Sequence, residues 1–479
     1  MNKRRKLVFV GLHVALMFMQ PAPPGNVLAV GSSYDNQDAS SAGRTTGLPA
    51  TQPQGLYAPH PEHIWNRLYR HFYVRSVRDG QQYGHDEIDP LLWQQTSYLL
   101  EGQSYQLAKN LLDEFLSTHA ERLINDPLKR AMLHRDVWAV FDWVSARNDN
   151  HQAQRRELQV RLARVIKRLA LTREQINALP DNYALATAAK AYATEYMPER
   201  REVPFLPPDI FRPDGPWVCI SNNRGGPVAP THAQFFGGRS TFLVFVRLPE
   251  GRQATNTYLK RLRDFQQPWI VNTNRSLESD PLLPNPELPQ FPAGTQLALI
   301  RQLTLIDDRG NLTPTPLTES VQLRVYHSIP GGVSVNVAEA RASQDVYKFV
   351  LSRAKLFAAE DGGLRPVAKE EKEFPLFMSQ GIDWFELRSG DEAVEKFQSV
   401  VLNSCASCHA SPGVHSMLSY SRRRFAAQNI FPPEPREASL PDEASNTAYW
   451  KSRQYEWGLL QGLWHSDAVQ RAETRNGGN

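Results

Sequence analysis

The sequence predicts an α+β multidomain fold over 479 residues: an N-terminal helical domain, a β-rich middle domain and a small all-α C-terminal domain. Three observations carry this. Apolar residues recur at helical spacing up to about residue 200, alternate at a spacing of two in the middle, and return to helical spacing from 375 onward. Hydrophobic residues make up 41% and charged residues 22%, so the chain can bury a core over most of its length. The length suits about three domains at ~150 residues each.

The chain opens with Lys3, Arg4, Arg5 and Lys6, then an apolar run from Leu7 to Met19, then Pro21, Pro23, Pro24 and Gly25 with small residues around Ala29 and Gly31. This charged, apolar, cleavable layout marks residues 1–31 as a secretory signal. The run is shorter than the ~20 apolar residues a spanning helix needs. No Cys follows it to hold a lipid, and no later segment approaches spanning length. The mature chain is therefore expected to be exported, periplasmic or extracellular, and soluble after cleavage, with no transmembrane segment. Lys and Arg total 54 against 50 Asp and Glu, and the leader's four cations account for the excess. A neutral mature chain lacks the clustered positive charge that nucleic-acid binding requires. Residues 32–55, rich in Ser, Gly, Gln, Thr and Pro, read as a flexible linker.

The helical domain is assigned to 56–200. Pro61 opens a segment with Ile64, Leu68 and Phe72 on one face, and Asp126-Pro127 is an N-cap followed by Pro at the first helical position. Ala131, His134, Trp138, Phe141 and Ser145 then share a face, and Leu158, Leu162, Val165 and Leu169 form a second stripe. The β-rich domain is assigned to 201–374. Phe242, Val244, Val246 and Leu248 alternate, as do Leu297, Leu299, Leu303 and Leu305, then Val321, Leu323 and Val325 after the Asp308-Arg309-Gly310-Asn311 turn. These predict half-buried antiparallel strands, with a helix over 255–265 and either a strand or a helix over 346–357. In the C-terminal domain, 375–479, a helix is expected over 391–401 (Val394, Phe397, Val401). Another is expected over 445–466, with Trp450, Trp457, Leu460 and Trp464 on one stripe.

Two of the three cysteines and a histidine fall together in Cys405-Ala406-Ser407-Cys408-His409. C-x-x-C-H is the signature of covalent c-type haem attachment: two thiols add to the porphyrin vinyl groups and the adjacent imidazole binds the iron. Chance yields this arrangement in roughly 3 of 10,000 chains of this composition. A structural zinc site needs four ligands and no second C-x-x-C exists. A thiol-disulfide motif calls for a thioredoxin-like βαβ pattern that the flanks lack. Those two readings and a plain disulfide remain as lesser alternatives.

Residues from about 380 to 479 resemble a class I single-haem cytochrome c domain, with Gly390 and Phe397 leading into the motif and an aromatic C-terminal helix. The resemblance covers the last fifth of the chain and rests on five residues. It implies one covalent haem c on Cys405 and Cys408, with His409 as proximal iron ligand. The family's distal Met lies well downstream of the motif, whereas here the last Met is Met417. Met417 is the first candidate for the distal ligand, with an open site, His415, Met378 and His465 as alternatives.

The function expected is that of an exported mono-haem electron-transfer protein with a redox partner protein. The alternatives are a haem-dependent oxidoreductase or peroxidase-like enzyme with an open distal iron face, or a haem-based sensor. Other residues read as bland: Cys219 as a buried thiol, His85 to Asp89 as a solvated loop, His63 and His71 as too far apart to share a metal, His134-Arg135-Asp136 as part of a helix, and Arg422 to Arg424 as a basic turn.

Overall fold

The computed structural model describes residues 55–76, 82–83, 98–146, 150–221, 226–267, 269–273, 282–329, 339, 342–367, 374–376, 396–398, 409, 412–417 and 437–476. Residues 1–54 lie outside this set, and with them the expected leader and most of the expected linker. Among the described residues no helix is long and apolar enough to cross a membrane.

Helices α1 (Ile64–Tyr73), α2 (Gly102–Ser117), α3 (Pro127–Ser145), α4 (Gln152–Leu169), α5 (Arg173–Asn177) and α6 (Asn182–Ala188) fill the N-terminal part. α3 starts where Asp126 and Pro127 place it. The Asp126 carboxylate accepts from Leu128 N at 2.8 Å and Lys129 N at 3.3 Å, satisfying amides that have no partner within the helix. Asp126→Ala is therefore expected to destabilise the fold by about 1 kcal/mol; an unchanged urea midpoint would show the cap to be dispensable. The expected face of α3 is buried, and so is the opposite one, with Leu133, Val137, Val140 and Val144 enclosed. α1, α4 and the sheet surround this helix, so no side of it needs to be polar.

Short strands β1 (Arg75–Ser76) and β2 (Gln82–Tyr83) form a two-stranded ribbon. The main sheet follows: β3 (Val218–Ile220), β4 (Ser240–Arg247), β7 (Thr295–Ile306), β8 (Leu312–Tyr326), β9 (Gln344–Leu351) and β10 (Leu364–Pro366), all antiparallel in the order β10-β9-β8-β7-β4-β3. The small pair β5 (Trp269–Val271) and β6 (Leu282–Pro284) is separate. Helices and an antiparallel sheet together make the fold α+β, as the patterning predicts.

The sheet is covered on both faces, where one buried face was expected. On β4, Leu243 and Phe245 enter the larger apolar cluster with the N-terminal helices, while Phe242 and Val246 enter a second cluster with α7 (Pro230–Phe235) and α8 (Arg252–Asp264). The signal was already in the chain, because STFLVFVR is a nearly continuous apolar run and such runs belong to sheets buried on both sides. The ambiguous segment at 346–357 contains both structures: β9 ends at Leu351, Ser352 caps, and α9 (Arg353–Phe357) begins.

Two C-terminal expectations change. Within the helix expected over 391–401, Lys396–Gln398 is strand β12, paired with β11 (Phe374–Leu376); the rest of that segment lies outside the described residues. Phe and Val form strands as readily as helices, so three apolar positions could not decide. The helix expected over 445–466 is two helices, α10 (Leu440–Ser452) and α11 (Tyr455–Asn476), broken at Arg453 and Gln454. Trp457, Leu460 and Trp464 are buried in the same cluster as α3 and α4, while Trp450 is half-buried.

Candidate haem site

Four adjacent strands, β3, β4, β7 and β8, build a floor on the second face of the sheet. Pairing sets Ile220 beside Val244, Val244 beside Leu299 and Leu299 beside Gln322. The next row sets Leu297 beside Arg324. Over this floor lie Val228, Ala229, His232, His409 and Met417, which line one cavity with it. The enclosed volume is about 70 Å³, and about 550 Å³ when the space open to solvent at the mouth is included.

Two anchors fix the segment after the motif. Val414 N donates to Gln290 Oε1 at 2.6 Å, and the Ser416 hydroxyl pairs with the hydroxyl of Tyr326 at the end of β8. Gly413 makes this turn with φ of +49°, a left-handed conformation that glycine adopts without steric cost. The result aligns His409: its Nδ1 donates to Ser416 O at 2.8 Å. A ring nitrogen facing a carbonyl must carry the proton, so the lone pair sits on Nε2, the usual arrangement of a metal-binding histidine. Burial holds the His409 imidazole well below its ordinary pKa, helped by the nearby Arg324 cation and opposed only in part by the Ser416 bond. It is neutral at pH 7, the form that binds metals.

His232 was missed in the sequence. It sits on α7, a helix of six residues in a Pro- and Gly-rich stretch, too short for periodicity to reveal. Its ring lies 6.3 Å from that of His409, centroid to centroid, with 12° between the planes. Burial pushes its pKa down to about 4, with Arg324, Lys348 and Arg301 acting in the same direction.

α7 is clamped at both ends. Before it, the buried Glu443 carboxylate of α10 accepts from the Ser221 hydroxyl and from Val228 N at 3.1 Å. After it, Arg239 donates to Asp142 at 2.6 Å, and Lys451 of α10 donates to the same oxygen at 2.7 Å. α10 thus ties α7, and with it His232, to the helical core.

The sequence-derived site residues are distributed as follows. His409 and Met417 line the cavity together. Cys405, Cys408 and Met378 lie outside the described residues. His415 is buried on the same turn but not in the cavity lining, and His465 is exposed on α11 with Nδ1 bonded to Gln461 O at 2.8 Å. Cys219 is a buried thiol on β3 whose pKa burial pushes up to about 12, which makes it unreactive. His63 caps α1 through its side chain, and His71 bonds Ser104 O at 2.8 Å. His85 to Asp89 and Arg422 to Arg424 lie outside the described residues. No group of three or more metal-binding side chains occurs among the described residues.

The donor chemistry suits a haem, whose macrocycle would have to extend from the enclosed volume of about 70 Å³ into the open mouth of the cavity. It offers a neutral imidazole with a fixed tautomer, apolar walls of Ile220, Val228, Val244, Leu297 and Leu299, and an Arg suited to a carboxylate. The buried Gln322 amide nitrogen in the floor has no hydrogen-bond partner among the described residues, an unmet donor that a polar edge group would satisfy. Comparison of the chain with family models, with curated proteins and with solved structures finds no match.

Proposed function

We propose that this protein is an exported mono-haem c-type cytochrome that carries electrons to or from a redox partner protein. The single observation that carries the reading is the C-x-x-C-H motif, whose histidine sits in an apolar cavity with its Nδ1 proton committed to Ser416. Cys405 and Cys408 would hold the haem through thioether bonds, and His409 would ligate its iron. Bound haem supplies one-electron chemistry at iron, tuned by axial ligand and burial. The chain's own groups do the rest. Ser416 fixes the His409 ring and raises its basicity as a ligand. Ile220, Val244, Leu297 and Leu299 exclude water, and Arg324 would offset the charge of a haem carboxylate. Met417, the thioether expected as distal ligand, stands in the wall of the same cavity. The resemblance of residues from about 380 to 479 to class I cytochromes c rests on the five-residue motif. The cavity also draws on β3, β4, β7 and β8, so the surroundings of a haem bound there would include the β-rich region assigned to 201–374.

The test is whether haem stays on the polypeptide. Exported full-length protein should retain pigment through acid-acetone extraction and show a mass of one haem above the chain. Cys405→Ala and Cys408→Ala should each weaken attachment, and the double variant should abolish it. Cys219→Ala should retain full haem content. A wild-type mass without haem, from a host that matures c-type cytochromes, would overturn the reading.

A further inference from the structure

Given the covalent haem proposed above, we propose that His232 is the axial ligand opposite His409, so that the iron is held by two imidazoles. The two rings lie in one cavity, nearly parallel, with centroids 6.3 Å apart. Two metal–imidazole bonds of about 2.0 Å and two ring radii of about 1.1 Å place the centroids of opposed imidazole ligands about 6 Å apart. The rings therefore stand at the separation that one metal between them would set.

The surroundings of His232 point the same way. Its imidazole has no hydrogen-bond partner among the described residues, although its backbone carbonyl accepts from Phe236 N. The residue is half-buried, and a ligand on its lone pair would supply the partner that the ring lacks. The charges acting on the ring are the cations Arg324, Lys348 and Arg301, so it is not the acceptor of a carboxylate-driven proton relay. The tethers from Glu443 and Arg239 hold α7 in place on either side, as an axial ligand from a distant part of the chain requires.

Met417 is the weaker choice. It follows Ser416, whose carbonyl is bound to Nδ1 of His409, so the chain at this point runs along the edge of the ring away from Nε2. A thioether ligand would also leave the His232 imidazole without a role in a cavity it faces.

The experiment uses the full-length exported protein and reads ligation apart from attachment. Wild type should be low-spin when oxidised, with the electron paramagnetic resonance and near-infrared signature of two imidazoles, and without the sulfur-to-iron band at the red end of the visible spectrum. His232→Ala should lose the low-spin signal and regain it on addition of imidazole. His232→Met should introduce the sulfur band and raise the potential, since a Met/His pair has the higher potential. Met417→Ala should leave all these signals in place. A sulfur band in wild type that Met417→Ala removes overturns the proposal, as does a low-spin signal that His232→Ala leaves intact, which would make the ring contact plain aromatic packing. In both cases the covalent haem is retained, so haem attachment stands while His232 ligation falls. Wild type without covalent haem overturns both readings together.

Discussion

Asp136→Ala is expected to destabilise the protein by about 3–5 kcal/mol, because it strands a buried cation. Asp136 on α3 and Arg353 at the start of α9 are both enclosed and form an ion pair. The same carboxylate accepts from the Tyr57 hydroxyl at 2.9 Å, and the Tyr73 hydroxyl donates to Asp136 O at 3.0 Å. Arg353 also donates to the Tyr69 hydroxyl at 2.7 Å, and its guanidinium lies 4.7 Å from the Tyr69 ring centroid and 5.3 Å from that of Tyr73. Burial alone would lower the Arg353 pKa, but Asp136 and the three tyrosines outweigh it and hold the group above its ordinary value. An arginine side chain is not deprotonated in proteins, so the cation remains charged in the variant with its partner gone. Urea unfolding followed by far-ultraviolet circular dichroism measures the cost. The double variant Asp136→Leu with Arg353→Met should recover most of it, since an apolar pair of similar volume needs no charge compensation. A single-variant loss below about 1 kcal/mol would mean that water or backbone groups stabilise the stranded guanidinium.

This pair also shows where the sequence stops being readable. The helical interior around His134-Arg135-Asp136 follows from periodicity, but its ionic partner is 217 positions away, and only the tertiary fold brings them together. The α+β class was legible because α3, α4, β4 and β8 are long enough for their periods of 3.6 and 2 to stand out. The cover on the second face of the sheet was not. α8 was expected as a helix over 255–265, but not its place on the sheet, and the rest of the cover is the six-residue α7 and single residues such as Leu288, Phe291 and Val414, which make no pattern. At the site, His409 was visible because it belongs to the C-x-x-C-H motif, whose spacing is fixed locally. His232 was invisible because it reaches the cavity from a six-residue helix far away in the chain, and only the tertiary fold brings the two rings together. The break between α10 and α11 lay hidden for a related reason: Trp450 and Trp457 are seven residues apart, so one continuous helix would place them on the same face.

The α10–α11 pair carries the second large effect: Trp457→Ala is expected to cost about 3–5 kcal/mol and to loosen the C-terminal helices from the helical core. The Trp457 ring lies 6.2 Å from that of Trp138 at 57°, and Leu460 and Trp464 continue the same buried stripe. Around them Gln461 Nε2 donates to Gly310 O at 2.9 Å, and the Lys167 ammonium lies 5.7 Å from the Trp464 ring centroid. Removing an indole from this cluster forfeits its burial and leaves a cavity that α3, packed on all sides, cannot collapse to fill. The loss reaches the site through α10, because Lys451 and Glu443 tether the two ends of the segment that bears His232. Trp457→Ala should therefore lower the urea midpoint and, under the His232 ligation proposed above, broaden the oxidised spectrum towards a high-spin component with covalent haem content unchanged. Trp464→Phe, which keeps an aromatic ring in the stripe, should preserve the spectrum at a smaller cost in stability. A Trp457→Ala protein that unfolds at the wild-type midpoint would show that α11 contributes little to the core. One that is destabilised but spectrally unaltered would show that α7 keeps its position without the C-terminal helices.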